Sequence, residues 1–153
     1  MRIGLDTNVL LRIAEPTHCL HRTAEDAIAE LGAAGHDFAT VPQVHYEFWA
    51  VATKTRKANG LELPISRAER ALDDVEAETT ILPDDLLVYR RWRALIAKYQ
   101  TTGVNSHDLR IVAALSRHGV DTLLTFNAAD FRRYAEVEVV EPAGVAAWLA
   151  GRP

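Results

Sequence analysis

The feature that most constrains the fold is a regular alternation of short apolar runs with longer segments of helical pattern. Five runs are rich in apolar or β-branched residues, namely RIGL, DFATV, TTIL, DTLLTF and VEVVEP. Alternation of such runs with helices is typical of a mainly parallel sheet with helices on both faces. We therefore predict a three-layer α/β/α fold around a mainly parallel central sheet of four to five strands.

Five longer segments carry helix start residues, helical apolar spacing and stop signals. They are HRTAEDAIAELGAAG, VPQVHYEFWAVATKTRKANG, SRAERALDDVEA, DDLLVYRRWRALIAKYQ and NSHDLRIVAALSRHG. Pro42 fits the first turn of the second segment, and Ser66 with Glu69 forms a capping-box pattern in the third. The fourth segment begins on paired aspartates, and the fifth ends on a His-Gly stop.

Length and composition indicate one ordinary globular domain, which we predict to span residues 1–153. The net charge of −4 argues against long-range attraction of the whole molecule to nucleic acid or to anionic membranes, although local basic patches remain possible. No apolar run is long enough to span a bilayer, and no secretory signal begins the chain. The single cysteine, Cys19, cannot form an internal disulfide. We expect a cytoplasmic protein without a membrane partner.

Acidic residues occur where predicted strands end or predicted helices begin. Asp6 directly follows the RIGL run, Asp130 follows the LLTF run, and Asp108 lies in the first turn of NSHDLRIVAALSRHG. Glu47 lies on the helix that begins near Pro42, among apolar neighbours that favour an inward carboxylate. Ligands of open parallel sheets bind beyond the carboxyl ends of the strands. Three of the four acids belong near that edge, and Glu47 can reach it from a neighbouring helix.

Each acid also has a purely structural explanation, as a helix cap, a dipole partner or a solvated side chain. Taken together, however, carboxylates at one edge would raise one another's pKa and destabilise the fold unless a cation neutralised them. Magnesium and manganese prefer oxygen ligands, and either ion can activate water and neutralise charge on a phosphate. The pattern therefore indicates metal-assisted hydrolysis of a phosphodiester.

The same residues resemble those of PIN-domain ribonucleases, and more closely those of VapC-like toxins of type II toxin–antitoxin systems. The resemblance rests on LDTNVLL, VPQVHYEFWAVAT, NSHDLRIVAALSRHGVDTLLTFNAADF and VVEP, in that order. It implies an acidic, catalytic metal site for Mg²⁺, with Mn²⁺ as the other candidate, at four positions: Asp6, Glu47, Asp108 and Asp130. It also implies that four polar neighbours orient ligands and water, namely Thr7, Asn8, Thr125 and Asn127.

The resemblance further implies an RNA substrate, a homodimer and inhibition by a small cognate antitoxin. Many family members carry an acid where this chain has Asn127, so a site with one metal ion is the safer expectation. Basic residues that are candidates for RNA phosphate contacts are Lys54, Arg56, Arg132 and Arg133. Arg132 and Arg133 are favoured because they lie beside Asp130.

Two alternatives remain open at this point. A haloacid-dehalogenase-like phosphatase also has an aspartate after its first strand, but that class needs a second aspartate two residues later, where this chain has Asn8. The other alternative is a non-catalytic PIN-like module that binds RNA or protein and retains the acids for folding or metal-dependent stability.

Overall fold

The computed structural model describes residues 1–152, in which five strands form one sheet with helices around it. The strands are β1 (Arg2–Leu5), β2 (Asp37–Thr40), β3 (Thr79–Ile81), β4 (Thr122–Leu124) and β5 (Glu138–Val140). The helices are α1 (Thr7–Ala14), α2 (His21–Ala33), α3 (Pro42–Thr53), α4 (Ile65–Glu78), α5 (Leu86–Tyr99), α6 (Asn105–Arg117), α7 (Ala128–Phe131) and α8 (Val145–Ala150). All strand pairs are parallel, in the order β3-β2-β1-β4-β5. The predicted α/β fold with five strands is confirmed.

The strand order places a crevice beside the central strand β1. From β1 the chain continues to β2 on one side, and it later returns to β4 on the other side. The Asp6 N–H donates to the Leu124 carbonyl at 3.1 Å, so the β1–β4 contact extends to the point where β1 ends. In an open parallel sheet, such a change of direction is where ligands bind.

The core is formed by apolar side chains of the inner strands and of the helices that cover them. Ile3 on β1, Leu123 on β4 and Phe48 on α3 are fully buried. Leu115 on α6 packs so close to the sheet that a Cβ at Gly4 would lie 2.7 Å from its side chain. This close packing fixes α6, and hence its N-terminal turn, against β1 and β4.

The predicted end of one helix is wrong. The helix that begins at Pro42 ends at Thr53 rather than continuing towards Gly60, because the following loop folds back on it. The Leu61 and Leu63 N–H groups donate to the Val51 and Ala52 carbonyls at 2.9 and 2.8 Å, which satisfies acceptors left free at the helix end.

The capping box predicted at Ser66 and Glu69 does not form. The helix begins one residue earlier, at Ile65, after Pro64, and no side chain caps it. The extended conformation of Pro64 ends the preceding segment and sets this starting point. By contrast, Asp85 caps α5 by accepting from the Val88 N–H at 2.8 Å, as the paired aspartates predicted.

None of the helices within residues 1–152 is long and apolar enough to cross a bilayer.

Gly60 provides a test of the loop that ends α3. A Cβ at this position would lie 2.0 Å from the Lys54 backbone oxygen, and backbone cannot move aside as easily as a flexible side chain. Gly60→Ala should therefore lower the free energy of unfolding by about 2 kcal/mol, measured by urea denaturation. The matched control is Gly32→Ala, because that position has open space around it and should gain up to about 1 kcal/mol. Equal stability of the two variants would contradict this account of the loop.

Candidate active site

Asp6 lies where β1 ends and α1 begins, and it is 6% exposed. Its Oδ1 accepts a hydrogen bond from the Thr7 N–H at 2.7 Å, so Asp6 is the N-cap of α1. Its Oδ2 accepts hydrogen bonds from Asn8 Nδ2 at 2.6 Å and from Thr125 Oγ1 at 2.5 Å. The aspartate therefore caps a helix and also joins a polar cluster at the sheet edge.

The Thr125 hydroxyl connects the ends of the two neighbouring strands. It donates to Asp6 and accepts from Asn8 Nδ2 at 3.1 Å and from the Asn127 N–H at 2.9 Å. Asn8 Oδ1 in turn accepts from the Phe126 N–H at 3.0 Å. Asn8 and Thr125 thus hold the Asp6 carboxylate with their side chains. Asn127 takes part only through its backbone, and its side chain is exposed.

Glu47 reaches the same cluster from α3. Its Oε2 accepts a hydrogen bond from Thr7 Oγ1 at 2.8 Å, and its Oε1 accepts one from Gln43 Nε2 at 2.7 Å. Glu47 is half-buried, as expected from its apolar neighbours. Thr7 therefore links the first turn of α1 to an acid that is 40 residues away in the chain.

Asp108 and Asp130 complete the group of acids from the opposite side. Asp108 lies in the first turn of α6 and is half-buried, whereas Asp130 lies in the short helix α7 and is exposed. Helix α7 packs against α6, so the two acids lie on neighbouring helices. The structure therefore brings together acids from four separate elements.

The electrostatics of the cluster show that these carboxylates influence one another. Burial raises the pKa of Asp6 to about 6; hydrogen bonds from Thr125 and Thr7 oppose that rise, and the charges of Glu47 and Asp108 add to it. Burial also raises the pKa of Asp108, as do the charges of Asp130 and Glu47. Ionising Asp6 and Asp108 together is therefore unfavourable without a neutralising charge.

The donor set fits a hydrated divalent cation. Carboxylate oxygens are preferred ligands of Mg²⁺ and Mn²⁺, and a cation would relieve the repulsion felt by Asp6 and Asp108. Within residues 1–152, no three or more His, Cys, Asp or Glu side chains are arranged so that they could hold a metal ion by themselves. Magnesium usually keeps several waters and uses one or two carboxylates, so coordination partly through water suits this arrangement.

Of the predicted basic residues, Arg133 is the one whose charge acts on the acidic cluster. Arg133 lowers the pKa of Asp108 against the larger effect of burial, and its Nε donates to the Asp130 carbonyl at 3.1 Å. Arg132 instead forms an exposed ion pair with Glu141 at 2.6 Å. On the loop after α3, Lys54 is exposed and Arg56 pairs with Glu15 at 3.4 Å.

Two residues that the sequence analysis missed contact the cluster. Gln43 donates to Glu47, and Arg110 Nη1 donates to Gln43 Oε1 at 2.9 Å. The position of Gln43 four residues before Glu47 places both on one face of α3, and this spacing was a signal that could have identified it. The contact of Arg110 depends on how α6 packs beside α3, which local sequence does not reveal.

Comparisons with known proteins agree with this fold. A family model described as PIN domain matches residues 3–137. No curated protein matches the chain. Similar solved structures include VapBC2 from Rickettsia felis bound to a DNA fragment from their promoter, with 17% identity, a TM-score of 0.68 and coverage of 92% of this chain and 98% of that one.

Two further structures share the fold at similarly low identity. A toxin–antitoxin complex from Klebsiella pneumoniae has 22% identity and a TM-score of 0.63, covering 92% of this chain and 97% of that one. VapC20 from Mycobacterium tuberculosis, a sarcin-ricin loop cleaving toxin, has 16% identity and a TM-score of 0.62, covering 88% and 98%.

The raised pKa of Asp6 predicts how stability depends on pH in metal-free protein. A carboxyl whose pKa is about 6 when folded and 3.8 when unfolded binds its proton more tightly in the folded state. Stability is therefore lost as pH rises from about 4 to about 7, by about 3 kcal/mol from this group. The measurement is urea unfolding in EDTA of the wild-type protein and of Asp6→Asn across this range. The difference in free energy of unfolding between the two proteins should change with pH, and a difference that stays constant across this range would contradict the prediction.

Proposed function

This chain belongs to the PIN-domain family, and from that premise we propose that residues 1–153 form one metal-dependent ribonuclease domain that hydrolyses RNA phosphodiester bonds. The observation that carries the proposal is the grouping of Asp6, Glu47, Asp108 and Asp130, from four separate elements, around the edge where β1 and β4 end. This edge is the expected ligand site of such a sheet.

The phosphatase alternative receives no support from Asn8. That alternative requires an acid at position 8, whereas Asn8 donates to Asp6 at 2.6 Å and accepts from the Phe126 N–H. Asn8 is thus a donor that stabilises the carboxylate rather than a second acid.

In the proposed mechanism, Asp6 and Asp108 would hold a Mg²⁺ or Mn²⁺ ion, and Glu47 and Asp130 would contribute directly or through water. When bound, such an ion neutralises charge on the phosphate and makes an attacking water more acidic. Thr125 and Asn8 fix the orientation of Asp6 through its Oδ2, and Thr7 and Gln43 fix Glu47 through its two oxygens.

We assign the binding of an RNA phosphate near this site to Arg133 first. Its charge already acts on Asp108, and the guanidinium lies 5.2 Å from the centre of the Tyr134 ring, which restricts its orientation. Arg132, Lys54 and Arg56 remain predictions for phosphate contacts, and two of them, Arg132 and Arg56, are already paired with acids.

The proposed biological role is that of a toxin held inactive by a small antitoxin. The similarity to VapBC structures and to a toxin–antitoxin complex supports this role. An apolar cavity of about 580 Å³, lined in part by Leu10, Ile13, Ile28 and Val75, offers a place for apolar side chains of such a partner. The homodimer is proposed on the family resemblance alone.

Cleavage of end-labelled total RNA by the purified protein tests the proposal. Discrete products should form in Mg²⁺ or Mn²⁺ and disappear in EDTA, and Asp108→Asn should lower the cleavage rate at least about 100-fold. The matched control is Asp121→Asn, because this exposed aspartate precedes β4 at the opposite edge of the sheet and should leave cleavage unchanged. Cleavage that persists in EDTA, or in Asp108→Asn, would exclude the acidic site. Well-folded protein that cleaves no RNA would favour a non-catalytic binding module.

A further inference from the structure

Gln43 is a buried amide between two of the acids, with 6% exposure. Its Nε2 donates one hydrogen bond to Glu47 Oε1 at 2.7 Å and a second to the His107 carbonyl at 3.0 Å. His107 directly precedes Asp108 in the first turn of α6. A single amide group therefore connects the Glu47 carboxylate on α3 to the backbone turn that carries Asp108.

Arg110 determines which way this amide faces. A guanidinium can only donate, and Arg110 Nη1 lies 2.9 Å from Gln43 Oε1. The amide oxygen must therefore face Arg110, and the amide nitrogen must face Glu47 and His107. Arg110 is itself held by an ion pair with Asp84, which lies in the loop before α5.

The consequence for Glu47 is a carboxylate with both oxygens fixed. Thr7 Oγ1 holds Oε2 from α1, and Gln43 holds Oε1 from within α3. Without the Gln43 donor, Oε1 would lose its protein partner and the long Glu side chain would regain rotamer freedom. The link between Glu47 and the turn that carries Asp108 would be lost in the same step.

We propose that Gln43, oriented by Arg110, is a positioning residue that fixes Glu47 relative to Asp108 and thereby sets the affinity of the acidic site for a divalent cation. This inference rests on the proposed function, and it concerns residues outside the four acids. Removal of a group that hydrogen-bonds to a metal ligand and orients it typically lowers metal affinity or activity by about 10- to 100-fold.

Binding of Mn²⁺ to the full chain without RNA tests the inference directly, with free Mn²⁺ measured by electron paramagnetic resonance. Gln43→Met keeps a similar volume but removes all three hydrogen bonds, and it should weaken Mn²⁺ binding about 10-fold or more. Arg110→Met removes only the group that orients the amide, and it should weaken binding by a smaller factor. The double variant should bind no more weakly than Gln43→Met alone, because both residues act through one contact.

Arg117→Met is the matched control. Arg117 lies on the same helix as Arg110 and pairs with Asp85, next to Asp84, at 3.4 Å and with similar exposure, but it does not contact Gln43. Its variant should bind Mn²⁺ like the wild-type protein. If Gln43→Met does not fold, Arg110→Met against Arg117→Met still decides the question.

RNA cleavage kinetics provide a second readout. Gln43→Met should lower kcat at limiting Mn²⁺, and kcat should return to the wild-type value at high Mn²⁺. The KM for RNA should stay unchanged. Lower thermal stability with unchanged Mn²⁺ affinity would show that Gln43 is merely structural and would overturn the inference alone. Wild-type protein that neither binds Mn²⁺ nor cleaves RNA would overturn the proposed function and this inference together.

Discussion

The hydrogen bond between Thr125 and Asp6 is the interaction on which the rest of the site depends. It joins the ends of two neighbouring parallel strands through residues 119 positions apart, and it holds a carboxylate that is almost completely buried. Hydrogen bonds stabilise the charged form of Asp6, but burial opposes them more strongly, and the pKa rises to about 6. The fold thus keeps an acid in an unfavourable environment, and perturbed acids of this kind cluster at functional sites.

The strand order explains why the other acids can join Asp6. Because β1 lies between β2 and β4, the helix that follows β2 and the segment that follows β4 both begin near the end of β1. Glu47 lies on the helix after β2, and Asp130 lies in the segment after β4. The close packing of Leu115 against Gly4 fixes the helix that carries Asp108. The acids are therefore grouped by the sheet and not by any local sequence motif.

The sequence predicted the strands and the parallel sheet, because apolar periodicity is a local signal. It also indicated acids near one end of the strands, because the position of Asp6 after the first strand is visible locally, while their role in a metal site stays a prediction. It did not predict that the helix from Pro42 stops at Thr53, since this depends on Leu61 and Leu63 folding back to bind its last carbonyls. Gln43 lies four residues before Glu47, and this spacing was a local signal for their contact, but the links of Gln43 and Arg110 across to the neighbouring helix were missed for a related reason. These links are contacts between α3 and α6, and an amide or an arginine on a helix carries no local sign of contacts with another helix.

The proposed function requires that the carboxylates at the end of β1 form a centre for a divalent cation. Crystals grown at neutral pH and soaked in Mn²⁺ would test it through the anomalous scattering of manganese. We expect a strong anomalous peak beside the Asp6 and Asp108 carboxylates, and loss of that peak in crystals of Asp108→Asn. Crystals with no peak at this edge of the sheet, or with an equal peak in the variant, would contradict it.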